Sequence, residues 1–164
     1  MDLFILRHGI AEDQSASGAD RDRVLTAEGR EKIALAGQAL RKLNFEFDSV
    51  LSSPYLRAWQ TAEIIVEAMG NQRLLQPSEA LSSGLPLAGV LAEIKKSAGN
   101  HSSLLLVGHE PDLSRLISML LSGSPNLGIT MKKGSLAKLS CLSPEPGNAR
   151  LEWLLTPKQL CRLA

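Results

Sequence analysis

Leu3-Phe4-Ile5-Leu6-Arg7-His8-Gly9 is the stretch from which the fold can be read. Four apolar residues run straight into a cation, an imidazole and a glycine. A short apolar run of this kind reads as a buried strand. In open α/β sheets the C-terminal strand ends face the crevice where ligands bind. Arg7 offers a fork of donors matched to a phosphate. His8 offers a ring nitrogen able to act as base, nucleophile or metal ligand. Gly9 lets the chain turn sharply and lets a ligand approach the backbone. Taken alone, the tripeptide reads equally well as a strand end with two solvated polar residues.

Working outward, Ile10 to Leu25 is rich in Ser, Ala, Gly and Asp and shows no periodicity. A loop of that length in a compact domain is either disordered or functional, and its start at His8 favours function. Thr26 suits an N-cap, and Ile33, Ala36, Leu40 and Leu43 follow at helical spacing, predicting a helix over Ala27 to Leu43. Val50-Leu51 is the centre of a second strand. Ser53-Pro54 reads as the N-cap and first residue of a helix whose apolar stripe is Tyr55, Trp59, Ala62, Val66 and Met69. Leu74-Leu75 reads as a short strand, Gln76 to Leu87 as loop, and Val90 to Lys96 as helix.

Ser103-Leu104-Leu105-Leu106-Val107 is the second clear buried strand, and it runs into Gly108-His109-Glu110-Pro111. A helix follows, presenting Leu113, Leu116, Ile117 and Leu120 to the core. Ala137, Leu139 and Cys141 alternate with polar residues, as do Leu151 and Trp153, around the turn cluster Pro144 to Asn148. That pattern is a half-buried β-hairpin. A last helix begins after Thr156-Pro157. Strands alternating with helices predict a three-layer α/β/α sandwich, with a mostly parallel central sheet and an antiparallel edge hairpin. No repeat, low-complexity tract or linker interrupts it, so residues 1–164 are expected to form one domain.

Composition narrows the function classes. A net charge of +1 creates no global field to draw in nucleic acid or an anionic membrane, so any anion site must be local. The cysteines Cys141 and Cys161 lack metal-ligand spacing and suit a reducing compartment rather than a disulfide scaffold. Met1-Asp2-Leu3 carries no basic leader, and no apolar run is long enough to span a bilayer. The expectation is a cytoplasmic protein.

Two of the three histidines occupy the same structural place. His8 directly follows one buried strand and His109 the other. Arg57 lies just beyond the Val50-Leu51-Ser52 strand. If the strands are parallel and adjacent, Arg7, His8, Arg57 and His109 converge at one sheet edge. Alone, Arg57 reads as a solvated helix residue and His109 as a satisfied strand-end histidine. Together the four make a dianion site, and the helix N-termini after Ser53 and His109 add partial positive charge. Phosphate, accepting on three oxygens, fits it better than carboxylate.

These residues resemble the histidine phosphatase superfamily, the phosphoglycerate mutase-like group. Leu6-Arg7-His8-Gly9 matches its signature. Leu25-Thr26-Ala27-Glu28-Gly29, Ser53-Pro54-Tyr55-Leu56-Arg57-Ala58 through Thr61-Ala62, and Gly108-His109 match further segments in the same order. The short Met69 to Ser103 segment most resembles SixA-type phosphohistidine phosphatases, because it leaves no room for the helical insertions that roof larger relatives. The resemblance implies that His8 is the nucleophile and that Arg7 and Arg57 clamp the phosphate oxygens. It implies that His109 donates a further bond and that Arg23 joins the clamp, with Arg21 close enough to substitute. No metal and no cofactor is implied. Phosphoryl transfer needs positioning and charge stabilisation, which arginines supply.

One departure bears on the substrate. Many members carry a carboxylate that protonates an ester leaving group, and the surroundings of Glu79 do not match that motif. A phosphoimidazole leaves more easily than an alkoxide. The implied partner is therefore a phosphohistidine-bearing protein of a signalling relay, such as a phosphotransfer domain, approached by a monomer. The rivals are a phosphatase of small phosphate monoesters and a non-catalytic phosphoprotein-binding module. Asp20-Arg21-Asp22 reads as solvated loop, His101 as a turn residue, and Cys141 lacks the arginine of a cysteine phosphatase loop.

Overall fold

The computed structural model describes residues 1–164. Strands run over Asp2–Arg7 (β1), Ser49–Ser52 (β2), Leu75–Pro77 (β3), Ser103–Gly108 (β4), Leu136–Cys141 (β5) and Ala149–Leu155 (β6). Helices run over Ala27–Lys42 (α1), Leu56–Ala68 (α2), Leu87–Ala98 (α3), Asp112–Ser122 (α4) and Pro157–Leu163 (α5). The strands form one six-stranded sheet in the order β3-β2-β4-β1-β5-β6. The first four in that order are parallel, and β5 and β6 add an antiparallel edge. This is the sandwich expected from the alternation of patterns.

Both faces of the sheet are covered, which is why β1 and β4 are continuous apolar runs. Leu3, Ile5, Leu104 and Leu106 pack with Val90 and Ile94 of α3 and with Leu113 and Leu116 of α4. Phe4, Leu6, Leu105 and Val107 pack on the opposite face with Ile33 and Leu40 of α1, Ala58 and Ile65 of α2, and Leu160 of α5. Full burial of each such Leu or Ile side chain contributes about 1.5–3 kcal/mol. No helix is long and apolar enough to cross a membrane.

Register is what positions the site. β1 and β4 pair in parallel with Arg7 opposite Gly108, and β2 pairs with β4 with Ser52 opposite Val107. His8, Ser53 and His109 are therefore the first residues beyond three neighbouring strands. The Gly134 amide donates to the His8 carbonyl at 2.9 Å and ties the chain entering β5 to the end of β1.

Some local expectations shift. The Thr26 hydroxyl caps α1 by accepting the Gly29 amide at 3.0 Å, as its sequence suggests. α2 begins at Leu56 with Tyr55 at the N-cap, not at Pro54, and the Ser53 hydroxyl lies 2.8 Å from His109 Nε2 while accepting the Tyr55 amide at 3.3 Å. Its buried face is Ala58, Thr61, Ala62, Ile65 and Val66. Trp59 turns aside and donates from Nε1 to Glu63 at 2.8 Å. β3 starts one residue later than expected, and a 3-10 turn at Glu79–Leu81 lies within the expected loop. A bulge pairs Lys138 with Trp153 but Leu139 with Leu151, which breaks the alternation and leaves Leu151 42% exposed.

Candidate active site

Chain connectivity explains why the polar residues meet. His8, Ser53 and His109 directly follow β1, β2 and β4, three neighbouring parallel strands, and each strand leads on through a loop or turn to a helix. His8 and His109 emerge from adjacent strands, and their rings lie 5.1 Å apart, centroid to centroid, tilted by 54°. Both are buried, His8 6% and His109 2% exposed. Arg57, on the first turn of α2, is 5% exposed, and its guanidinium carbon lies 5.3 Å from the Tyr55 ring centroid. The Tyr55 ring in turn lies 5.1 Å from the His109 ring. Arg7, His8, Arg57 and His109 are thus brought together at one edge.

The His8 ring has a defined orientation. Its Nδ1 lies 2.7 Å from the Gly9 carbonyl oxygen. A carbonyl only accepts, so Nδ1 carries the proton and the Nε2 lone pair is free. Burial pushes the His8 imidazole down to about 3 from 6.5, and the charges of His109, Arg57 and Arg7 push the same way. The Gly9 bond opposes the shift. His109 falls to about 4, again mainly from burial, with Arg57 and Arg7 adding and Asp20 opposing. Both rings are neutral at neutral pH.

The arginines are held by main-chain oxygens and carboxylates. Arg7 Nη1 donates to the Met131 carbonyl at 2.7 Å, while its Nε is buried without a partner. Burial lowers the Arg7 pKa, and nearby Glu110 opposes that shift. Glu110 itself accepts the Ser114 hydroxyl at 2.7 Å. Arg57 donates from Nη1 to the Asp20 carbonyl at 2.7 Å and from Nη2 to Asp20 Oδ2 at 2.9 Å. The other Asp20 oxygen accepts from Arg23 Nη1 at 2.8 Å. Its hydrogen bond to Arg23, and then that to Arg57, hold the Asp20 carboxyl below the usual carboxylate range, against the effect of burial.

Asp20 therefore corrects the reading of Asp20-Arg21-Asp22 as solvated loop. Its side chain is more than half exposed, yet both carboxylate oxygens are committed to arginines. Arg23 approaches Arg57 through this shared carboxylate, and its Nε donates to the Glu12 carbonyl at 2.6 Å. Arg21 is exposed and reaches only Asp22, at 4.0 Å, so it does not substitute. The Ile10 to Leu25 loop is ordered at its base by an Ala11–Leu25 bridge and by the Glu12 amide on the Val24 carbonyl at 2.9 Å.

Sequence reasoning missed two further residues. Thr61 Oγ1 accepts the Gly9 amide at 3.1 Å and donates to the Arg57 carbonyl at 2.7 Å, joining the turn after His8 to the helix bearing Arg57. Ser53 Oγ lies 2.8 Å from His109 Nε2. A threonine on the buried side of a helix and a serine before a proline gave no local sign of either contact. Glu79 is exposed beyond β3 and accepts the Ser82 hydroxyl at 3.2 Å. The largest surface cavity, about 910 Å³, lies at the other end of the strands around Met1, Phe45, Ser102 and Cys141, and includes none of the site residues.

The arrangement offers a free imidazole nitrogen beside two guanidinium groups and a second buried imidazole, equipment suited to a phosphoryl group. The family model described as histidine phosphatase superfamily (branch 1) matches residues 3–82. Phosphohistidine phosphatase SixA of Escherichia coli (strain K12) is 30% identical over 164 residues, covering 98% of this chain and 96% of that protein. An uncharacterized protein of Picosynechococcus sp. (strain ATCC 27264 / PCC 7002 / PR-6) is 35% identical over 144 residues, covering 85% of this chain and 84% of that one. A solved structure of the protein histidine phosphatase SixA complexed with tungstate superposes with a TM-score of 0.87 at 26% identity, covering 98% of this chain and 99% of that one. The chain belongs to the histidine phosphatase superfamily and is closely related to the SixA-type phosphohistidine phosphatases.

Proposed function

We propose that residues 1–164 act as a single-domain, metal-independent phosphatase that dephosphorylates phosphohistidine on signalling proteins through a covalent intermediate on His8. The observation that carries this is the His8 ring: Nδ1–H is engaged by the Gly9 carbonyl at 2.7 Å, which leaves Nε2 as the unprotonated nitrogen. Nε2 attacks phosphorus as the bond from phosphorus to the substrate imidazole breaks. The departing nitrogen keeps the electron pair of that bond, and a proton carried on the other nitrogen of its ring makes the leaving imidazole neutral. The phosphorylated His8 ring keeps its Nδ1 proton, and the Gly9 carbonyl stabilises the resulting positive charge. Water then attacks phosphorus, the P–Nε2 bond breaks, and phosphate and a proton leave.

Arg7, Arg57 and His109 surround His8 and hold the equatorial oxygens, where charge accumulates. Arg23 contributes through Asp20. The short connection from β3 to β4 holds only a 3-10 turn and α3, so no helical insertion stands between a partner protein and the strand ends. A phosphotransfer domain is the class of partner this suits. The Escherichia coli relative, named a phosphohistidine phosphatase, supports the same reading.

The test is a panel of phosphorylated histidine proteins and small phosphate esters, assayed with a chelator present. Wild type should release phosphate fastest from phosphohistidine and carry an acid-labile phosphoryl label, while His8→Ala should do neither. Faster turnover of sugar phosphates would move the assignment to small monoesters. Phosphoprotein binding without His8-dependent release would make the chain a binding module.

A further inference from the structure

Ser53 is the first residue past β2 and is fully buried. Two polar groups lie within hydrogen-bond distance of its hydroxyl oxygen: His109 Nε2 at 2.8 Å and the Tyr55 amide nitrogen at 3.3 Å. The amide is a donor and uses an oxygen lone pair. The hydroxyl hydrogen then has one acceptor in reach, which is His109 Nε2. A neutral imidazole has one donor and one acceptor nitrogen, and the hydrogen bond made by one decides the role of the other.

The two possible tautomers differ in what they leave unpaired. With the proton on Nε2, the Ser53 hydrogen is stranded in the interior, and the Nδ1 lone pair is stranded with it. With the proton on Nδ1, Ser53 is satisfied and a single N–H remains. His109 Nδ1 is indeed buried with no partner in the protein, and so is Arg7 Nε. Both belong to the cluster around His8; Arg7 Nε is a donor in any case, and with the proton on Nδ1 His109 adds a second, a pair that complements an oxyanion.

We propose that Ser53 is a positioning residue: its hydroxyl donates to His109 Nε2 and fixes the Nδ1–H tautomer, so that His109 presents a donor to the phosphoryl oxygens. The inference rests on the phosphoryl-transfer reading of the site. Donation from Nδ1–H strengthens as charge builds on those oxygens, whereas a lone pair in the same place would repel them. His109 is the group that meets the substrate, and Ser53 acts through it.

The decisive measurement is the long-range proton–nitrogen correlation spectrum of the histidine rings in nitrogen-15-labelled wild type at pH 7, with and without inorganic phosphate. The His109 signals are assigned by their loss in His109→Gln. Nδ1 should be protonated and Nε2 bare in both samples. Protonation of Nε2 in either sample, alone or together with Nδ1, overturns the proposal. Kinetics add a second reading. Ser53→Ala should lower kcat about 10-fold, less than the ~10²–10³-fold expected for loss of an oxyanion donor itself. Ser53→Thr should restore most of it. On a His109→Ala background, Ser53→Ala should cost nothing further, and an additive loss would overturn the coupling. If Ser53→Ala does not fold, the wild-type spectrum still decides. Absence of His8-dependent turnover in wild type would defeat the proposed function and leave the tautomer measurement standing by itself.

Discussion

Arg57 is tied to Asp20 by both of its terminal nitrogens, at 2.7 Å to the carbonyl and 2.9 Å to the carboxylate. A loop residue that looks solvated in sequence thus places a negative charge on the guanidinium expected to bind phosphate. That charge holds Arg57 against the loop, and it would compete with an anion arriving there.

Asp20→Asn keeps an acceptor oxygen for Nη2 and removes the charge. Inorganic phosphate should then bind several-fold more tightly, about 1 kcal/mol for a partly exposed pair. Titration calorimetry reads this directly, and unchanged or weaker binding would show that Asp20 chiefly orients Arg57.

The buried imidazoles make stability depend on pH in a definite direction. Burial lowers His8 to about 3 and His109 to about 4, both below the free value of 6.5. Between those values the unfolded chain binds protons that the folded protein does not, so stability falls as the pH drops below about 6.5. At pH 5 each ring costs roughly 2 kcal/mol. Urea unfolding at pH 7.5 and pH 5 should show a larger loss for wild type than for the His8→Gln/His109→Gln double variant. Equal losses would mean that the rings titrate normally.

Thr61 links the two halves of the site through one hydroxyl, accepting from Gly9 and donating to Arg57. Thr61→Val keeps the shape and strands the buried Gly9 amide, at a cost of about 1–3 kcal/mol. Turnover should fall as well, since Gly9 also holds His8 Nδ1. Thr61→Ser should preserve both stability and rate, as measured by denaturation and by phosphate release.

Gly29 leaves the space that the chain beyond His8 needs. A Cβ there would stand 2.1 Å from the Ile10 carbonyl oxygen, a backbone atom that cannot swing aside. Gly29→Ala should therefore cost about 1–3 kcal/mol through forced backbone movement. It should also depress turnover, because Ile10 follows Gly9 directly. A variant as stable and active as wild type would show that α1 can slide away.

Much of this was legible in the chain. Apolar runs ending in Arg7-His8 and Gly108-His109 specify two fully buried strands with polar residues at the same end, because a strand buried on both faces must be apolar throughout. Turn residues and caps, Thr26 and Thr156 above all, mark where helices start. Arg57 was readable through its place one turn past a third strand. Local pattern therefore determined the layered fold and, once the strands lie parallel and adjacent, the sheet edge at which Arg7, His8, Arg57 and His109 gather.

What only the tertiary structure decided is which polar atoms satisfy which. The parallel register that sets Arg7 opposite Gly108 brings the two rings to 5.1 Å. The folding of the loop delivers Asp20 to Arg57, and the turn after β2 brings the Ser53 hydroxyl to within 2.8 Å of His109 Nε2. Such bonds join residues far apart in the chain, and their worth comes from burial that no single segment has by itself. Periodicity records which side of an element is dry. It does not record which donor, once dried, finds which acceptor.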